Sequence, residues 1–383
     1  MTLDLDIVAV LNIFLFLGIV QGLIVAVLLL FVKKPGSISD RLLSFWVLAL
    51  ALTNGRIIIE AGNLYQVFGL ENTLMAPLSF ELWYGPLLYL FVLSLTSPSF
   101  SFEKKHVWHL VPGLLEFLYY LVVYVQPLEI RLPFYGNIHW KWVEPGIEII
   151  AVLSFATYLS LSGQRLKSYK LWLHENYAAP ELDAFGWLHR LIRVLLVMLA
   201  FWLVLTVIDV AFMGYRLEFI YFYPYYIIIA YLSYFIGYAG YFRPQTIILT
   251  EKKRNATTKE VLDKDRLNKV VAQLTLVMQQ DQLFLNQVLK ASDVAGKLDI
   301  SVQALSYALN QGLGLSFNDY VNQLRIAHVK ERLASQDLAW MSLMGIARES
   351  GFNSESSFYR IFKQQTGMTP KGYVQHLKAQ KGS

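Results

Sequence analysis

The sequence predicts an all-α chain in two parts: a seven-helix transmembrane bundle, then a soluble domain built as a double helix-turn-helix. Three observations carry this prediction. Of 383 residues, 55% are hydrophobic and only 16% charged, which is too apolar for one soluble globule. The long apolar runs all fall before residue 250, where the formal charge changes from −1 for the first part to +6 for the second. Beyond that boundary the chain matches itself at an offset of 53 residues. The domains read from this are a polytopic membrane domain at 1–244, a linker and amphipathic helix at 245–274, and the repeated domain at 275–383.

A helix that crosses hydrocarbon needs about 20 apolar residues. Candidates are residues 7–32, 42–59, 73–95, 107–125, 146–161, 192–213 and 219–241. The first is not read as a cleaved signal, because the acidic start Met1-Thr2-Leu3-Asp4-Leu5-Asp6 lacks a signal's positive charge and the apolar run is too long.

Lysine and arginine in short loops set orientation. Lys33, Lys34, Arg41, Lys104, Lys105, Arg165, Lys167, Lys170, Arg190 and Arg193 fall in one set of loops, against Arg131, Lys141 and Arg216 in the other. The first set is therefore expected in the cytoplasm and the N-terminus outside. An odd number of spans then brings Arg243, Lys252, Lys253, Arg254 and the basic tail to the inner face of a bacterial cytoplasmic membrane.

Arg56, Glu60, Glu81, Glu116, Glu148 and Asp209 lie within or at the ends of spans. Charge inside a membrane is costly and marks a ligand or proton site, which makes Glu81, Glu116 and Asp209 candidate sensor residues. The plainer reading hydrates Arg56, Glu60 and Glu148 at an interface and ties Glu81 and Glu116 into hydrogen bonds between helices. His106 and His109, at i, i+3, read as a solvated interfacial pair, because a metal needs further ligands that the sequence does not offer. Trp83, Tyr84, Trp108, Trp140, Trp142, Trp187 and the aromatic run 221–226 read as interfacial belts. The longest external segment, the loop 126–145, offers aromatic rings with Arg131, His139 and Lys141 to a small-molecule or peptide signal.

With no cysteine, the chain has no disulfide, no thiolate nucleophile and no Cys-ligated zinc. No catalytic or metal cluster stands at a recognisable spacing, so neither an enzyme nor a cofactor is expected.

After the linker at 245–258, residues 261–280 carry Leu267, Val271, Leu274 and Met278 at helical spacing, one packing stripe of a globular domain. The self-match then aligns Gly314-Leu315-Ser316-Phe317-Asn318-Asp319-Tyr320-Val321 with Gly367-Met368-Thr369-Pro370-Lys371-Gly372-Tyr373-Val374. Leu305 and Leu309 align with Phe358 and Phe362, an i, i+4 pair that seats a short helix on a core. Ser342 caps a helix running to Glu349, Gly351 supplies a turn, and Asn353 or Ser354 caps the next helix. In that helix Phe358, Ile361 and Phe362 share one face, and Glu355, Ser356, Tyr359, Arg360 and Lys363 the other. The first unit has the same layout at 291–297 and 301–311, with Asp299 in a turn position where glycine is easier. Residues 317–335 form one continuous helical pattern between the units, with Leu324, Ala327, Val329 and Leu333 apolar and Arg325, Lys330 and Arg332 charged.

These residues resemble the DNA-binding domain of the AraC/XylS family of bacterial regulators, above all Gly351-Phe352-Asn353, Phe358, Arg360, Phe362-Lys363, Thr366-Gly367-Met368-Thr369-Pro370 and Tyr373. The resemblance covers roughly the last hundred residues. It implies a transcription regulator that puts the second helix of each unit into one of two successive major grooves of double-stranded DNA. Carried over by position, the readers are Gln303, Ala304, Ser306 and Tyr307 in the first unit and Glu355, Ser356, Tyr359 and Arg360 in the second. Arg360 is the foremost, since arginine pairs bidentately with guanine. Asn310 and Lys363 are expected on phosphates. The first unit departs from the family pattern at Tyr307, where arginine is usual. The resemblance implies double-stranded DNA as a partner, the apolar first part calls for membrane lipid, and a small-molecule or peptide signal and a second copy of the chain are further candidate partners. A membrane transporter or enzyme with a regulatory helix-turn-helix tail is the alternative reading.

Overall fold

The computed structural model describes residues 2–32, 37–61, 71–97, 100–178, 186–213, 219–242, 263–335 and 341–381. Lys33, Lys34, Arg216, Arg243, Lys252, Lys253 and Arg254 of the orientation argument, the linker at 245–258 and the side chain of Glu60 lie outside the described residues. The described residues are helical and contain no strand, only a single antiparallel bridge between Tyr177 and Lys290. They divide into two compact units, Met1–Lys167 with Asp183–Lys252, and Ser168–Leu182 with Lys253–Ser383.

The first unit is built from α1 (Thr2–Val27), α2 (Ile38–Ala61), α3 (Glu81–Thr96), α4 (Val111–Tyr124), α5 (Leu128–Phe134), most of α6 (Glu144–Asn176), α7 (Gly186–Ile208) and α8 (Tyr223–Phe242). α2 packs against α1, α3 and α8. Small residues bring these helices close, with Gly18 facing Ala230 and Gly22 facing Ala51. Ser44 Oγ donates to the Ala26 carbonyl at 2.7 Å.

Among the described residues, five segments are long and apolar enough to cross a membrane: Ala9–Val32, Ile38–Ile59, Lys104–Tyr124, Leu128–Asn176 and Gly186–Ile208. Glu81–Thr96 and Tyr223–Ile236 are apolar but shorter. Ile38–Ile59 is 72% buried, whereas the other four are 17–28% buried, so α2 is the centre of the unit and its neighbours turn apolar side chains outward.

Three expectations are corrected. The span at 73–95 is not one helix: α3 starts only at Glu81, after a short 3-10 turn at Glu71–Thr73 and an irregular stretch in which Met75 has a φ of 62° and Pro77 offers no N–H to a helix. The external loop at 126–145 is helical, as α5 followed by a π-helical segment Tyr135–Val143 that runs into α6. Within it, Arg131 is 5% exposed and donates to the Asn72 and Leu74 carbonyls, so its charge holds the irregular stretch instead of facing out.

The third correction concerns charge and solvation. Arg56 is 6% exposed and pairs with Glu144 at 2.9 Å and Glu81 at 3.5 Å. Tyr120 donates to the second Glu144 oxygen at 2.8 Å, and His139 Nε2 stands 3.1 Å from it. His106 is likewise only 5% exposed, its Nδ1 accepting the Glu103 N–H, while His109 bonds Tyr158 at 2.8 Å. The two histidines are engaged separately, and no group of three metal-ligating side chains occurs among the described residues.

The second unit contains α9 (Lys264–Gln280), α10 (Ala291–Lys297), α11 (Val302–Ala308), α12 (Phe317–Ala334), α13 (Leu343–Glu349), α14 (Glu355–Thr366) and α15 (Pro370–Lys381). Asp263 caps α9 through Arg266 N, and the helix buries Val270, Leu274 and Met278. The expected boundary at 274/275 falls inside this helix. Two hydrophobic cores follow. In one, Leu274, Met278, Phe284 and Val294 meet Leu305, Leu309, Phe317 and Val321. In the other, Ile326, Val329 and Leu333 meet Ile346, Phe352, Phe358 and Phe362. α12 contributes to both, its first half to one and its second half to the other.

Candidate nucleic-acid interface

Each core supports one helix-turn-helix. In the first, α10 ends at Lys297, the chain reverses through Asp299, and Ser301 caps α11 by accepting the Ala304 N–H at 3.0 Å. Asp299 has a φ of 53°, the left-handed conformation expected from its place in the turn. In the second, Ser342 caps α13, Gly351 turns the chain at a φ of 93°, and Ser354, not Asn353, caps α14. A Cβ on residue 351 would overlap the Phe284 carbonyl oxygen and stand 2.7 Å from Arg325 Nε, so only glycine fits that approach.

The repeat has a direct physical meaning. Gly314 and Gly367, at φ 68° and 75°, terminate the helical segments that carry the second helix of each unit. Two residues on, Ser316 accepts the Asp319 N–H and Thr369 the Gly372 N–H, starting the following helices.

Arg325 holds the two cores together. It is fully buried, and its guanidinium donates to the Phe284 carbonyl at 2.8 Å, the Asn286 carbonyl at 2.7 Å and the Ala178 carbonyl at 3.4 Å, while lying 5.9 Å over the Phe352 ring. Burial lowers its pKa to about 10, which leaves it charged at neutral pH.

The second helices turn a polar face outward. On α14, Glu355, Ser356, Arg360 and Lys363 are exposed, while Tyr359 is half-buried, edge-on to Phe358. Ser356, Arg360 and Gln364 form an i, i+4 row, and Gln364 is an exposed candidate that sequence reasoning left out although the spacing points to it. On α11, Gln303 is exposed and Ser306 and Tyr307 are half-buried, with exposed Asn310 following in the π-helical segment Leu309–Leu313. Ala304 is only 1% exposed and packs beside Val270 and Ala308, so it faces α9 instead of the groove.

The sensor candidates lie in the first unit. Glu116 is 3% exposed and accepts from Ser79 Oγ and from the Glu81 and Leu82 N–H groups, so its carboxylate satisfies the start of α3. Glu81 shares Arg56 with Glu144. Asp209 opens a π-helical segment, Asp209–Met213, that continues α7.

The second unit thus carries a double helix-turn-helix domain. Residues 294–376 match the model of the family described as "Helix-turn-helix domain", of the AraC type. Among curated proteins, the chain is 31% identical over 117 residues to an uncharacterized HTH-type transcriptional regulator of Staphylococcus aureus strain COL, covering 30% of this chain and 14% of that protein. A counterpart in strain MSSA476 matches to the same extent. It is also 33% identical over 93 residues to regulatory protein PocR of Salmonella typhimurium strain LT2, covering 24% of this chain and 30% of PocR. The chain therefore spans less than a third of the length of these relatives. No solved structure matches.

Proposed function

We propose that the chain is a membrane-bound, sequence-specific DNA-binding transcription regulator. Its membrane unit senses a signal, and its tail binds duplex DNA in two successive major grooves. The observation that carries this reading is a pair of matched helix-turn-helix units, each presenting a polar second-helix face, joined by the unbroken helix α12. An 18-residue helix rises about 27 Å at 1.5 Å per residue. That is the scale on which major grooves recur on one face of a duplex, about 34 Å.

Membrane residence is supported by the outward apolar surface of the first unit, where Phe16 is 59%, Val122 61% and Phe212 79% exposed. Such side chains need lipid around them. Seven crossings, counting α3 and α8, agree with the loop charges that put the tail in the cytoplasm. In this reading Gln303, Ser306, Tyr307, Glu355, Ser356, Tyr359 and Arg360 meet base edges, and Asn310 and Lys363 meet phosphates.

The test uses the full chain in lipid nanodiscs, with duplexes selected from genomic fragments and binding followed by fluorescence anisotropy. The wild type is expected to bind with an affinity that falls as salt rises, and Arg360→Ala to bind more weakly with relaxed selectivity. Equal, salt-insensitive binding by both proteins would sink the reading.

A further inference from the structure

The first unit has a partly open cavity of about 90 Å³ where α2, α3, α6, α7 and α8 converge. Glu81 and Glu148 lie on its wall among Trp46, Tyr84, Tyr225 and Tyr226, and no lysine, arginine or histidine lines it.

The carboxylates of this region are under-compensated. Arg56 gives its closer contact, 2.9 Å, to Glu144 and its longer one, 3.5 Å, to Glu81. Glu148 has no hydrogen bond or ion pair of its own among the described residues, and the Arg56 charge acts on it only from farther off. A carboxylate away from water takes up a proton or pairs with a counter-charge. A second group on the wall is also unsatisfied: Trp46 is 1% exposed, and its indole N–H has no acceptor among the described residues. A buried donor of this kind calls for an acceptor.

We infer that this cavity is a binding site for a small organic ammonium ion that carries a hydroxyl or carbonyl acceptor. The ammonium lies between Glu81 and Glu148 with the tyrosine rings around it, and the acceptor takes the Trp46 N–H. Aromatic faces attract such cations once they are desolvated. The volume limits the ligand to a molecule smaller than benzene, since an apolar cavity of about 150 Å³ is what holds benzene. The inference rests on the reading of the membrane unit as a sensor and names the class of signal it takes.

The test is calorimetric titration of the full chain in nanodiscs, without DNA. The probes are ethanolamine, its neutral isostere 1-propanol, and propylammonium, which keeps the charge and lacks the acceptor. Ethanolamine is expected to saturate, 1-propanol to bind far more weakly, and Glu148→Gln to weaken ethanolamine by at least about tenfold. Trp46→Phe is expected to remove the preference for ethanolamine over propylammonium while the thermal transition stays intact.

Tight binding of the neutral alcohol, an unaffected Glu148→Gln, or no saturation by ethanolamine on folded protein overturns the inference. DNA binding by the same preparation without any probe reports separately on the regulator reading, so the two can fail independently.

Discussion

Asn318 Nδ2 donates to the carbonyl of Ala178 at 2.6 Å, and Arg325 reaches the same oxygen at 3.4 Å. Ala178 returns its own N–H to the Leu289 carbonyl at 3.1 Å, and Tyr177 pairs with Lys290. Residues 168–182 thus belong to the unit that carries the helix-turn-helix domain, although the chain on either side of them belongs to the first unit. Ala178 is 1% exposed within the core formed by Leu289, Phe317 and Val321.

That strap makes a measurable prediction. Asn318→Ala removes the shortest hydrogen bond to Ala178 at a cost of about 1 kcal/mol. Hydrogen exchange on the full chain should show the Ala178 amide several-fold faster in the variant, with α14 amides unchanged. Unaltered exchange at Ala178 would mean that the Arg325 and Leu289 contacts hold the strap alone.

Arg325 is the second point of leverage. Replacing it by leucine keeps most of the volume but leaves the Phe284 and Asn286 carbonyls without their donor. The expected loss is about 2–4 kcal/mol for the second unit, read from urea unfolding followed by intrinsic fluorescence. Arg332→Leu is the control: its pair with Glu349 is partly solvated and its loss should cost under about 1 kcal/mol.

The glycines of the repeat should separate by mechanism. Gly351→Ala forces a Cβ into the Phe284 carbonyl and Arg325, so the second unit is expected to unfold at or below physiological temperature. Gly367→Ala has open space at the same sign of φ and carries only the left-handed backbone cost, about 1–2 kcal/mol. Similar melting temperatures for the two variants would contradict the steric account.

What the sequence disclosed follows the range of each interaction. The Gly–hydroxyl signature, the capping serines and the strained turn at Asp299 are local, set within three or four residues, and all are legible in the chain. Charge and spacing do not disclose the burial of Arg325, or of Arg56, which reads as hydrated at an interface. Their partners lie far along the chain: Phe284 is 41 residues before Arg325, and Glu144 is 88 after Arg56. Ala304 failed for a related reason, since its burial depends on α9, which the repeat does not include. The matched segment, 294–376, likewise leaves out the strap and α9.

In the first unit, Arg56 joins α2 to α3 and to α6 through Glu81 and Glu144. Arg56→Ala leaves the buried Glu144 and the half-buried Glu81 without this cation, and breaking a buried pair such as Arg56–Glu144 costs about 3–5 kcal/mol. The variant should melt well below the wild type in nanodiscs, and adding Glu144→Gln should restore part of the difference. A double variant no more stable than Arg56→Ala would show that Glu144 is held by Tyr120 and His139 alone.

The recognition face gives the last prediction. Arg360 and Lys363 are both exposed on α14, one turn apart, but they are assigned different work. An arginine bidentate on guanine contributes about 1–3 kcal/mol of discrimination at one base pair. A lysine on a phosphate contributes affinity without sequence. Arg360→Ala should therefore flatten the base preference at one position of the site, while Lys363→Ala should weaken all duplexes alike and reduce the salt dependence by about one phosphate contact. Binding curves against a library of single-base variants, taken at two salt concentrations, separate the two. If Lys363→Ala altered base preference and Arg360→Ala did not, α14 would have to enter the groove rotated from the orientation assigned to it.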